Sequence, residues 1–148
     1  MKLTLWKPVG LKECPYLYRI VLPCKWFSIR LHWWVASDDL RSLHDHPWWF
    51  LTLVLWGSYT DYTRGGRDIL RFGSLRFRPA NHKHRVYIHS KRCITLLITG
   101  PESRRWAFYP LGTGKRLMRD KYFAEYGHHP CSKDSDVGVR MRPDGTRI

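Results

Sequence analysis

Acidic residues are scarce in this 148-residue chain: 12 Asp and Glu stand against 26 Lys and Arg, giving a formal net charge of +14 and a pI near 10.1. Such an imbalance favours phosphate-bearing or otherwise anionic partners by long-range attraction, nucleic acid among them. The basic residues are spread along the chain, so a soluble basic surface fits them as well as a dedicated nucleic-acid face does. Cysteines are few. Cys14, Cys24, Cys93 and Cys131 form no C-x-x-C pair, which argues against a zinc ribbon and offers no disulfide framework. Long apolar runs are missing, and residues 1–8 lack the apolar stretch of a secretory signal, so a cytoplasmic setting without a membrane partner is expected. Helical periodicity is scarce. No Ser-His-Asp order, Gly-rich phosphate loop or paired-carboxylate arrangement stands out, which disfavours nucleophilic hydrolysis.

What is present is a series of short aromatic and β-branched runs punctuated by Gly and Pro. Residues 1–15, with Pro8, Gly10 and Pro15, read as an irregular lead-in. Strands are expected over 16–22 and 26–35. In the second, Phe27, Ile29, Leu31, Trp33 and Val35 share a face opposite Ser28, Arg30, His32 and Trp34. Ser37, Asp38 and Asp39 are the residue types that cap a short helical turn. The run 49–56 is almost wholly apolar and ends at Gly57, and residues 58–62 continue it as a more polar strand. Gly65 and Gly66 suit a hairpin turn at positive φ. Residues 73–79 alternate, predicting Leu75 and Phe77 inward with Arg76 and Arg78 on a solvated face. Further strands are expected over 94–99 and 106–110. Together these patterns predict an all-β sandwich or barrel in one domain over 1–126, followed by a polar tail over 127–148.

Two imidazoles stand at the mouth of the apolar run. His44 and His46 are two apart and share a face if extended, while Asp45 turns away. Neutral imidazole suits divalent transition metals, and closing a barrel can bring His84 up to the pair. Three satisfied polar residues lining a barrel are the alternative.

At this point the sequence resembles the cupin superfamily. The first cupin motif is matched by His44-x-His46, three residues, Phe50, six residues and Gly57. The second is matched by Gly73, five residues, Pro79, Ala80, Asn81, two residues and His84, fifteen residues after the first. Phe50 stands where the family has a glutamate ligand, Asn81 where it has a turning glycine, and Ile88 where it has a final Asn. Asn is a residue type that tolerates the left-handed conformation. The resemblance implies a double-stranded β-helix, or jelly roll, and dimers through sheet edges. It implies His44, His46 and His84 as ligands in a three-histidine set like that of the thiol dioxygenase branch. Iron(II) is the expected metal, with zinc, nickel, copper or manganese as alternatives. The superfamily also contains metal-free epimerases and binding proteins.

His82, Thr52 and Tyr59 are candidates for catalytic or ligand-orienting roles. Arg30, His32, Trp34, Arg104 and Arg105 are candidates for holding an anionic substrate. His128-His129-x-Cys131 has the composition of a soft-metal site but no partner pair. The expected function is metal-dependent, dioxygenase-like or Lewis-acid chemistry on a small anionic molecule, by an oxidoreductase or isomerase. The alternative is a non-enzymatic cupin that binds a nucleotide, sugar phosphate or nucleic acid through its basic surface.

Overall fold

Edge and interior strands are separated here by where Pro and Gly fall and by which parity carries polar groups. The computed structural model describes residues 3–11 and 14–127. Its strands are β1 (Thr4–Leu11), β2 (Cys14–Pro23), β3 (Ser28–Trp34), β4 (Ser42–His44), β5 (Phe50–Trp56), β6 (Tyr59–Thr63), β7 (Gly66–Leu70), β8 (Leu75–Arg78), β9 (Arg85–Ile88), β10 (Cys93–Thr99), β11 (Ala107–Pro110) and β12 (Leu117–Met118), followed by helix α1 (Arg119–Tyr126). One sheet runs β1-β2-β3-β10-β5-β8, and two smaller ones run β12-β11-β4 and β7-β6-β9. All pairings are antiparallel. A reciprocal backbone pair, His44 N–H to His84 O and His84 N–H to His44 O at 2.9 Å each, joins the small sheets through β4 and β9. The result is a jelly roll of two facing layers, with two of the candidate ligands at the seam of the second. Among the described residues no helix is long and apolar enough to cross a membrane.

Several sequence expectations need correction. The lead-in is largely a strand: β1 pairs with β2 from Thr4 to Leu11. Pro8 and Gly10 are tolerated because β1 is an edge strand with register shifts. Ser37 to Asp39 start no helix; Asp38 and Asp39 are buried and turn toward side chains of the domain. On β8 the expected facing is reversed. Leu75 and Phe77 are 54% and 58% exposed, while Arg76 and Arg78 reach Asp68 and Asp61. A buried carboxylate such as Asp61 costs several kcal/mol without a cationic partner, and that requirement outweighs the burial of two apolar side chains. The 64–65 hairpin turn uses no positive φ. Nor does Asn81. The two motif glycines, Gly57 (φ 74°) and Gly73 (φ 83°), are among the residues that do take the left-handed backbone. At Gly57 a Cβ would also meet Arg92 O at 2.6 Å, so the space is closed as well as the conformation.

Helix α1 was not foreseen. Its one buried side chain, Tyr122, stacks on Phe108 with centroids 4.4 Å apart and donates its hydroxyl to Asp39 at 2.8 Å. Asp45, fully buried, ties β11 to β4. It accepts from Ala107 N–H at 2.9 Å and Tyr109 O–H at 2.8 Å and pairs with Arg104 at 2.8 Å. The pattern His128-His129-x-Cys131 and nearly all of the expected tail lie outside the described residues.

Candidate metal centre

Strand parity and the seam between sheets converge on one set of imidazoles. His44 ends β4, held by Phe108 on one side and His84 on the other. His46 follows at the same parity, its backbone N–H on Ala80 O at 3.2 Å. His84 enters β9. One ring nitrogen from each lies within 4.8 Å of the others, and His46 Nε2 is 3.0 Å from His84 Nε2.

Two carboxylates stand behind these rings. Asp61 Oδ1 accepts from His84 Nδ1 at 2.7 Å, and Asp38 Oδ2 lies 3.0 Å from His44 Nδ1. Asp61 favours the tautomer of His84 protonated at Nδ1 and leaves its Nε2 with a lone pair for an ion, whereas Asp38 acts on His44 through its charge and not through a hydrogen bond. Asp61 is also met by His82 Nε2 at 3.1 Å and Arg78 Nε at 3.0 Å. Burial would raise its carboxyl pKa, but His84 and His82 outweigh that and hold it far below the ordinary range. Burial holds His46 well below 6.5, with His44 and His84 adding to the effect. His44 is lowered by burial too, against the opposing pull of Asp38. Buried imidazoles kept neutral are in the form that binds metal.

The donor set fits a transition-metal ion. Two adjacent ligands about 2.1 Å from one ion, at right angles, stand about 3.0 Å apart, the separation seen between His46 and His84. A second grouping, Asp61 with His82 and His84, is also compact. Its carboxylate is already taken by Arg78 and two imidazoles, so it is the poorer receptor.

Aromatic rings close the site. Phe50 lies 4.8 Å from His46 and 5.7 Å from His84, centroid to centroid, where the cupin pattern would place a glutamate. Trp48 stacks on His46 at 4.9 Å, and Phe108 and Trp106 flank His44.

The remaining candidates are spread more widely. His82 meets Asp61, behind His84. Thr52 is buried and bonded to Tyr59, which belongs to the apolar cluster of Val54, Leu70, Val86 and Cys93. Trp34 packs against that cluster and donates to Thr95 Oγ1 at 3.3 Å. Arg104 is engaged with Asp45, and Arg105 is exposed. Arg30 and His32 lie on the inner face of β3, Arg30 with its guanidinium 4.4 Å from the centre of the Trp48 ring. Sequence reasoning missed Asp38, Asp61 and Arg78. The one available signal was an acid at inward parity in the strand 58–62.

No family model matches the chain, and no curated protein matches it in sequence. Solved structures do match in shape. An RmlC-like cupin protein from Ralstonia eutropha JMP134 aligns with TM-score 0.55 and 15% identity over 81% of this chain and 80% of that one. AerE from Microcystis aeruginosa aligns with TM-score 0.54 and 20% identity over 77% and 58%. FeII HppE aligns with TM-score 0.53 and 10% identity over 63% and 54%, so the chain spans little more than half the length of these last two. These likenesses establish the fold.

Proposed function

We propose that this chain, which has the cupin fold, is a metalloprotein that holds a divalent transition metal on His44, His46 and His84 and acts through it on a small anionic molecule. The observation that carries this reading is the convergence of three imidazoles backed by two carboxylates, with nitrogens of His46 and His84 already 3.0 Å apart. Iron(II) is preferred over zinc, nickel, copper or manganese, in line with the iron in the name of one structural neighbour. When bound, such an ion supplies Lewis-acid polarisation or activation of oxygen at its open positions. The chain's own residues do the rest. Asp61 fixes the ring of His84, Asp38 stands behind His44, and Trp48 and Phe50 exclude water from the side nearest His46. Without a carboxylate at position 50 the ligand set itself is neutral, leaving the ion more net charge to attract an anion than a glutamate ligand would leave.

Substituting Phe50→Glu tests this reading. The new carboxylate would lie beside His46 and His84. In chelator the variant should melt below the parent, because a buried charge lacks a partner. Added zinc should reverse that loss and bind at least about tenfold more tightly than to the parent. A variant destabilised equally with and without zinc would count against a metal at this point.

A further inference from the structure

Guanidinium groups on the inner surfaces of this fold are generally matched by carboxylates: Arg78 by Asp61, Arg104 by Asp45, Arg41 by Asp39. The inner face of β2 and β3 departs from that rule. Arg19 on β2 sits directly across from His32 on β3, and Arg30 is two residues from His32 on the same face. His32 is 7% exposed, and neither of its ring nitrogens has a partner. Arg19 Nε is likewise buried and unpartnered. Arg30 gives one hydrogen bond, from Nε to Ser28 Oγ at 3.0 Å, and otherwise lies against Trp48. Among the described residues no carboxylate is within ion-pair distance of Arg19 or Arg30.

This arrangement is expensive without a ligand. Burial and Arg19 pull Arg30 down to about 10, and burial, Arg30 and Arg19 pull His32 down to about 3. Orphaned buried donors cost free energy that a matching acceptor restores. Two planar guanidiniums and an imidazole N–H suit one kind of acceptor, an oxyanion able to take several charge-assisted hydrogen bonds at once. Trp48 links the cluster to the candidate metal centre, touching Arg30 on β3 and stacking on His46.

We propose that Arg19, Arg30 and His32 form a seat for the carboxylate or phosphate end of the substrate, whose other end faces His44, His46 and His84. The second half of that statement rests on the proposed metal function; the seat itself rests on the large sheet alone. Sodium phosphate and sodium acetate, titrated separately against sodium chloride at matched ionic strength, serve as probes. The readout is the ring nitrogen resonances of His32, assigned by their loss in His32→Gln. One of the two anions should move them saturably, and the one that binds more tightly identifies the substrate end as phosphate or carboxylate. Arg30→Gln and Arg19→Gln should each weaken binding by about tenfold or more, and Arg30→Lys by less. Circular dichroism confirms that each variant is folded. Saturable binding should persist in chelator-stripped protein, so a protein that takes up no metal on reloading but still binds the anion overturns only the metal reading. Resonances unmoved by either anion, or moved equally in Arg30→Gln and the parent, would overturn the seat.

Discussion

Replacing Asp61 by alanine is expected to destabilise the fold by about 3 kcal/mol, the lower end of the range for breaking a buried ion pair. Asp61 is 2% exposed and serves three donors from two segments: Arg78 on β8, and His82 and His84 before β9. Truncation strands the guanidinium of Arg78, whose side chain is 17% exposed. The cost stays at the low end because Arg78 keeps a second partner, Asp68 Oδ2 at 2.8 Å. Asp61→Asn separates shape from charge. It should retain much of the stability but weaken metal binding by about 10- to 100-fold, through loss of the charge behind His84. Denaturant midpoints and metal competition titrations measure the two effects. An alanine variant as stable as the parent would mean that Arg78 and the histidines find solvent or other partners at little cost.

Stability should also fall steeply as pH drops below about 6.5, where histidines of the unfolded chain take up protons. In the fold, burial lowers the pKa of His32, His44 and His46, that of His32 to about 3. The unfolded state therefore binds more protons across this window, and stability rises with pH through it and is lost on acidification. Each such histidine contributes about 1.4 kcal/mol per pH unit, so the three together give a slope of up to about 4 kcal/mol per pH unit. Against a typical total of about 5–15 kcal/mol, that slope unfolds the domain within a few pH units. Asp61 adds a further loss below about pH 4, because its folded pKa is depressed and protonation removes its bonds. Urea titrations at about pH 7.5, 6.5 and 5.5 test the slope. Equal midpoints at all three would show that the imidazoles take up protons in the fold as readily as in the unfolded chain.

How much of this was legible depended on the reach of each interaction. The pair His44 and His46 follows from local alternation, and the alternation along β3 was legible as well. Which face of β3 points inward was not. Arg30 and His32 occupy the interior parity together with buried Ser28, Thr52, Thr95 and Thr99, so hydrophobicity is the wrong guide there. The same reversal governs β8, where Asp61 and Asp68 draw Arg78 and Arg76 inward. His84 was connected to the pair through the closure expected of a barrel and through motif spacing, because its backbone partner His44 is far away in sequence. The role of Asp61 depends on strand order, which single-sequence patterns do not encode. Strand β1 was hidden by Pro8 and Gly10, and α1 by a sequence whose one buried residue, Tyr122, leaves no apolar stripe.

The most direct test of the central claim is elemental analysis of protein purified without a histidine tag, beside a variant carrying His44→Ala, His46→Ala and His84→Ala together. The expected result is about one transition-metal ion per chain in the parent, removable by chelator and restored on reloading, with the folded variant retaining almost none. Equal metal content in the two proteins, or a parent that takes up no metal on reloading, would contradict it.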